Sequence, residues 1–102
     1  MVFDEVDAGV GGTAALSLAR ALHEVARDRQ VLVVTHLAQV ASQADAQISV
    51  VKGLSRGRTV TTATAVQGEE RVTELSRMLS GHPDSDAARA HARELLGASH
   101  GR

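Results

Sequence analysis

Val2-Phe3-Asp4-Glu5-Val6-Asp7-Ala8-Gly9-Val10-Gly11-Gly12 decides how the chain is to be read. Two bulky apolar residues run into two adjacent carboxylates, a third acid follows two residues later, and three glycines then fall within four positions. A strand that ends in Asp-Glu points those acids at the carboxyl edge of a sheet, where open α/β folds bind ligands. Asp4 has the chemistry to hold Mg²⁺ there, directly or through water, because that ion takes a few carboxylates together with phosphate oxygens and water. Glu5, one step along, projects differently and suits a group that polarises a water for attack on a phosphoryl centre. The glycines do not sustain a strand, so the chain turns at them. A solvated strand end beside a turn is the plainer reading of the same residues, and the rest of the chain has to separate the two.

Working outward, Thr13 is placed to cap a helix on which Ala15, Leu18, Ala19, Leu22, Val25 and Ala26 recur at helical spacing. Arg20, His23, Glu24 and Arg27 fall mostly on the opposite side, as a one-sided surface helix requires. Asp28-Arg29-Gln30 ends the pattern, and Val31-Leu32-Val33-Val34 is an uninterrupted apolar run of the kind buried on both faces of a parallel sheet. Strand, helix and strand make a right-handed βαβ unit. Its strands run the same way, so Thr35-His36 leaves the second strand at the edge that carries Asp4 and Glu5. A lone histidine after a strand is more often a capping or packing residue than a catalytic one. On one edge with a carboxylate pair, a neutral imidazole has the chemistry to meet a γ-phosphate or an attacking water.

Further on, Leu37 to Ala44 predicts a short helix with Leu37, Val40, Ala41 and Ala44 on one face, closed by Asp45. Ile48 to Val51 and Thr59 to Val66 predict a β-hairpin, with Gly53 and Gly57 in a polar turn that also holds Arg56 and Arg58. Lys52, Arg56 and Arg58 have the charge to touch phosphate, although a solvated basic turn explains them equally simply. From Gly68 a helix places Val72, Leu75, Met78 and Leu79 on one face and stops at Gly81 and Pro83. Asp84 or Ser85 starts a last helix with Ala88, Ala92, Leu95 and Leu96 inside, and Gly97 to Arg102 is expected to fray. There is no internal repeat, low-complexity tract or interdomain linker.

Composition bounds the reading. A chain of 102 residues makes at most one small domain. Its only aromatic residue is Phe3, so the core must be built from Ala, Val and Leu. Small side chains bury little area each, at about 25 cal/mol per Å², and so thin a core implies a piece that leans on something else. Without cysteine there is neither a disulfide framework nor a thiolate zinc site. No apolar run has the length of a membrane span and no signal-peptide pattern opens the chain, so a cytoplasmic location is expected. The net charge of −1 argues against a strongly basic nucleic-acid platform within this segment.

Taken together, Val2 to Gly12, the run Val31-Leu32-Val33-Val34-Thr35-His36-Leu37-Ala38-Gln39-Val40-Ala41 and the later Arg71-Val72-Thr73-Glu74-Leu75-Ser76-Arg77-Met78-Leu79-Ser80-Gly81 resemble the C-terminal part of the RecN family. These are bacterial DNA repair ATPases allied to the structural-maintenance-of-chromosomes and ABC-type ATPases. The resemblance covers nearly the whole chain. It implies an α/β fold in which a parallel βαβ core, a β-hairpin and two C-terminal helices form the C-terminal lobe of a P-loop ABC-type ATPase head, with residues 1–102 as one partial head. It further implies that Val2 to Glu5 is a Walker B strand end, with Asp4 on Mg²⁺ and Glu5 the catalytic carboxylate. Gly9, Val10, Gly11 and Gly12 then match the D-loop, which faces the partner head across an ATP-bound head–head homodimer, and His36 matches the switch histidine that senses the γ-phosphate. Many D-loops of this class end in Asp, and Gly11 at that place excludes a contact by an Asp side chain. In the full-length protein the resemblance implies ATP with Mg²⁺, DNA as a partner in double-strand-break repair and recombination, and a cytoplasmic, nucleoid-associated setting.

Other parts of that pattern are missing from the sequence. No G-x-x-x-x-G-K-S/T run occurs, and the one lysine, Lys52, is far from any such loop. The serine-glycine-glycine signature and the long heptad-bearing arm are missing too. In the family these lie upstream of Walker B, so the chain is expected to be a fragment that lacks the N-terminal part of the head and does not hydrolyse ATP by itself. Two other readings stay open. Gly9-x-Gly11-x-x-Ala14 formally fits a dinucleotide fingerprint, but Thr35-His36 stands where an acid should meet the ribose, and three acids before the glycines would repel a pyrophosphate. A non-catalytic protein-interaction module, docking through the helical C-terminal region without nucleotide or Mg²⁺, gives no reason to pair Glu5 with His36.

Overall fold

The computed structural model describes residues 2–4 and 12–99. The expectations placed on Glu5 to Gly11, and on residues 100–102, lie outside the described residues. The described elements run β1 (Val2–Asp4), α1 (Gly12–Val25), β2 (Leu32–Val34), α2 (Ala38–Ala41), β3 (Gln47–Ser55), β4 (Arg58–Val66), α3 (Glu69–Ser80) and α4 (Asp86–Ser99). The result is an α/β fold with a parallel sheet, an antiparallel hairpin and helices packed beside them.

β1 and β2 pair in parallel with Val2 opposite Leu32, Phe3 opposite Val33 and Asp4 opposite Val34. The helix between them begins at Gly12, with Thr13 in its first turn. Its inner side is Ala15, Ala19 and Leu22, whereas Val25, expected on that side, is exposed at the last position. The helix closes there because Arg27 N–H turns back to the Glu24 carbonyl at 3.3 Å, an i→i−3 bond that tightens the chain. The run from Val31 to Val34 is not buried on both faces as its pattern predicts: Leu32 is 54 % and Val34 50 % exposed. The apolar pattern of a parallel strand reflects cover on two faces, and here helices cover one.

The helix expected from Leu37 to Ala44 is regular only over Ala38–Ala41. Gln43 N–H then bonds to the Val40 carbonyl and Ala44 N–H to the Ala41 carbonyl, at 3.1 and 3.2 Å, which winds the end into tighter turns. The hairpin is longer and its turn shorter than expected. β3 and β4 pair continuously from Gln47 opposite Val66 to Ser55 opposite Arg58, so Gly53 and Arg58 belong to strands. The turn is Arg56-Gly57 alone, with φ of 51° and 76°. Positive φ at both positions is the mirror-image turn whose twist matches antiparallel strands.

The core has two parts. Ala38, Ala41, Val72, Leu75 and Ala92 form one, with Met78, Leu79, Leu95 and Leu96 against them. Ala15, Ala19 and Val40 form the other, with Leu22, Val33 and Leu37 against them. Small residues fill both, as the composition requires. Short α2 joins them, sending Val40 to one and Ala38 and Ala41 to the other. α3 ends at Gly81, whose φ of 79° lets its N–H return to the Arg77 carbonyl at 2.7 Å. Ser85 settles the start of α4: its Oγ accepts the Ala88 N–H at 3.3 Å. α4 continues to Ser99, so Gly97 lies within the helix instead of opening a frayed tail. No helix among the described residues is long and apolar enough to cross a membrane.

Candidate functional site

The parallel register carries the site. Asp4 is the last residue of β1 and pairs with Val34, the last residue of β2. Thr35 and His36 therefore leave β2 at the edge where Asp4 leaves β1, the carboxyl edge at which α/β sheets bind ligands. Asp4 and His36 are both exposed there. Glu5 and the loop residues Gly9, Val10 and Gly11 lie outside the described residues, while Gly12 opens α1.

His36 is held from both sides along the chain. Before it, the Thr35 hydroxyl accepts the Leu37 N–H at 3.0 Å, folding residues 35–37 into a tight side-chain turn. After it, Leu37 packs on the cluster of Ala15, Ala19 and Val40. The Leu37 carbonyl also accepts the N–H groups of Val40 and Ala41, at 3.1 and 3.0 Å, and so starts α2. A polar residue between a strand end and an anchored leucine has little freedom to leave the edge.

Arg71 secures the far end of that segment. It is 8 % exposed, and its Nη2 donates to the carbonyl oxygens of Ala41 at 3.0 Å, Ala44 at 2.7 Å and Ser42 at 3.4 Å. Its Nε donates to Oε1 of Gln47 at 3.0 Å. Burial lowers the pKa of this guanidinium and the Asp45 carboxylate partly offsets that, yet an arginine stays cationic at neutral pH. One α3 side chain thus ties the turn after α2 to the start of β3. The sequence gives no warning of this, because an isolated Arg early in a helix carries no pattern of burial.

A cleft of about 320 Å³ lies elsewhere, between the hairpin and α3, where Ser49, Glu74 and Arg77 line it with Val66 and Pro83. There Glu74 accepts from the Ser49 hydroxyl at 2.7 Å and from Arg77 Nε at 2.6 Å. The Arg77 hydrogen bond draws the Glu74 pKa down against the cost of burial, and Ser49 adds to the lowering. Neither Asp4 nor His36 reaches this cleft, which brings hairpin and helix together and stands apart from the sheet edge.

The donor chemistry at the edge fits Mg²⁺ in part. A carboxylate oxygen at Asp4 is a hard ligand, and Mg²⁺ is commonly held by one or two carboxylates with waters and phosphate oxygens completing its shell. The described residues contain no group of three His, Cys, Asp or Glu able to hold a metal ion. They do not form a closed cage, and an ion at Asp4 depends on oxygens brought by a ligand. For a dinucleotide, β2 is followed by Thr35 and His36 and offers no acid for a ribose.

No family model matches the chain. It is 57 % identical over 95 residues to the DNA repair protein RecN of Streptomyces coelicolor, covering 93 % of this chain and 17 % of that protein. It is 54 % identical over 96 residues to the DNA repair protein RecN of Deinococcus radiodurans, covering 94 % and 17 %. With the protein of that name from Bacillus subtilis the identity is 43 % over 96 residues, again 94 % and 17 %. The matched part is the C-terminal stretch of those proteins. The chain spans 17 % of the length of these curated relatives.

Proposed function

We propose that this chain, whose sequence closely matches the C-terminal stretch of RecN proteins, forms the Walker B side of the ATP site in the head of a DNA repair ATPase. The observation that carries this reading is the parallel pairing of Asp4 with Val34, which sets Asp4 and the His36 segment on one carboxyl edge. The likeness to RecN proteins supports it independently.

In this reading Asp4 would hold a magnesium ion that accompanies the phosphates of ATP. When bound, that ion supplies neutralisation of the charge on the transferring phosphoryl group. Glu5, next in the chain, accepts a proton from the attacking water and so acts as general base. His36 donates an imidazole N–H toward the γ-phosphate, fixed in position by Thr35 and Leu37. Gly9, Val10, Gly11 and Gly12 face a second head, and the three glycines among them allow a close approach. Hydrolysis then separates two heads whose association depends on ATP, and that cycle is coupled to DNA bound elsewhere in the protein.

By itself the chain turns over no ATP. Phosphate affinity in P-loop enzymes comes largely from the glycine-rich loop and its lysine, and the sequence contains no G-x-x-x-x-G-K-S/T run. The direct test joins this chain, in place of the matched 95 residues, to the upstream part of the Streptomyces relative. Glu5→Gln in the joined protein is expected to keep ATP binding, lower hydrolysis by about 100-fold or more and accumulate ATP-bound dimers. Hydrolysis at the parent rate removes Glu5 from the role of base.

A further inference from the structure

α2 is a single turn, Ala38–Ala41, and only Leu37 stands between it and His36. A helix that short gains little from its own hydrogen bonds, so whatever grips its two ends decides where it sits. The near end is held by the Thr35 hydroxyl on the Leu37 N–H and by the Leu37 side chain on Ala15, Ala19 and Val40. Along its length α2 gives Ala38 and Ala41 to the cluster of Val72, Leu75 and Ala92. Methyl groups bury little area, and apolar contact sets no direction. The far end is different. There the carbonyls of Ala41, Ser42 and Ala44 converge on one nitrogen, Nη2 of Arg71, in directional, charge-assisted bonds.

The guanidinium is itself aimed from behind. Its Nε donates to Gln47 Oε1, and Gln47 Nε2 meets Met78 Sδ at 3.7 Å. Its backbone lies in the first turn of α3, and Glu69 beside it receives Arg89 and Arg93 of α4 at 2.8 and 3.0 Å. Every carbonyl that Arg71 holds falls in the turn that ends α2. A donor placed only to stabilise the fold has no reason to spend its bonds on that one segment. We propose that Arg71 is a positioning residue for the nucleotide chemistry: it fixes the end of α2, and α2 fixes His36 at the edge that carries Asp4. This rests on the reading that His36 meets the γ-phosphate. Arg71 itself touches no reacting atom there, being 8 % exposed with Nε and Nη2 engaged by protein oxygens. Its effect passes through the imidazole, where a displacement of about 1 Å can cost on the order of 100-fold in rate.

The test is a double-substitution cycle on ATP hydrolysis by the protein in which this chain is joined to the upstream part of the Streptomyces relative. Arg71→Ala is expected to lower kcat by about tenfold or more, while the calorimetric Kd for Mg-ATP moves by less than about twofold. In the His36→Ala protein the same substitution is expected to lower kcat by less than about twofold, because the residue it acts through is gone. A merely structural role gives another pattern, with the active fraction and the binding stoichiometry falling together in both backgrounds. Arg71→Lys keeps the charge without the planar fork and carries the same cycle should Arg71→Ala not fold, with an expected fall of about threefold or more that again vanishes without His36. Equal falls in both backgrounds, or no fall in kcat, overturn the proposal and leave the role of His36 standing. Hydrolysis by His36→Ala at the parent rate removes His36 from the nucleotide reading and this inference with it.

Discussion

Arg71 donates its Nε–H to Oε1 of Gln47 at 3.0 Å, and both side chains are buried at 8 % exposure. Through this pair α3 grips the start of the hairpin, while the other end of the same guanidinium holds three carbonyls after α2. The segment that carries His36 is therefore fixed at one end by β2 and at the other by α3.

Replacing Arg71 by Ala leaves buried carbonyls and the Gln47 amide oxygen without their donor. The expected loss is about 2–4 kcal/mol of unfolding free energy in urea titration. Arg71→Lys is expected to recover less than half of it, because an ammonium has no planar fork to reach Gln47 and the carbonyls together. A loss below about 0.5 kcal/mol for Arg71→Ala would mean that water replaces the guanidinium at little cost.

Leu75 is fully buried in the α2–α3–α4 cluster, which it shares with Val72 and with Ala38, Ala41 and Ala92, whose short side chains cannot fill the space a truncation leaves. Leu75→Ala is expected to cost about 2–5 kcal/mol, a large part of the stability of so small a domain. Thermal unfolding followed by circular dichroism checks it.

Glu74 titrates below its ordinary value of 4.5 in the folded chain, chiefly through its hydrogen bond from Arg77. A depressed carboxyl contributes stability that is fully present above the unfolded value and is lost as pH falls through the folded one. Glu74→Gln is thus expected to lower stability at pH 7 by about 1 kcal/mol. The difference from the parent should shrink as pH drops below 4.5. Denaturant titrations at a series of pH values between neutrality and strong acid measure the gap, and a gap independent of pH contradicts the assignment.

Gly57 has a φ of 76° and Arg56 a φ of 51°. Gly57→Val is expected to destabilise the hairpin by about 1 kcal/mol or more, and Arg56→Asn to stabilise it by a few tenths. Amide exchange along β3 and β4 reports both directly.

The sequence is legible where one chain decides the outcome and misleading where a neighbour does. β1, α1, β2 and the amphipathic faces of α3 and α4 follow from periodicity alone, because their inner residues meet partners within these residues. The pairing of Asp4 with the end of β2 follows from strand, helix and strand in succession. Val31 to Val34 shows the limit: its pattern specifies two covered faces, and these residues supply cover for one. Gly53 misleads differently, since a glycine inside a polar stretch looks like a turn, yet the two-residue turn at Arg56-Gly57 keeps it in β3. Arg71 leaves no trace at all, because its acceptors are backbone carbonyls and those have no sequence signature.

The most direct measurement is calorimetric titration of Mg-ATP into the 102-residue chain and into the same chain joined to the upstream part of the Streptomyces relative. No saturable heat from the chain alone, with saturable one-to-one binding by the joined protein, is the result predicted for one side of an ATP site that lacks its phosphate loop. Tight binding by the chain alone would contradict it, placing a complete phosphate site within these residues.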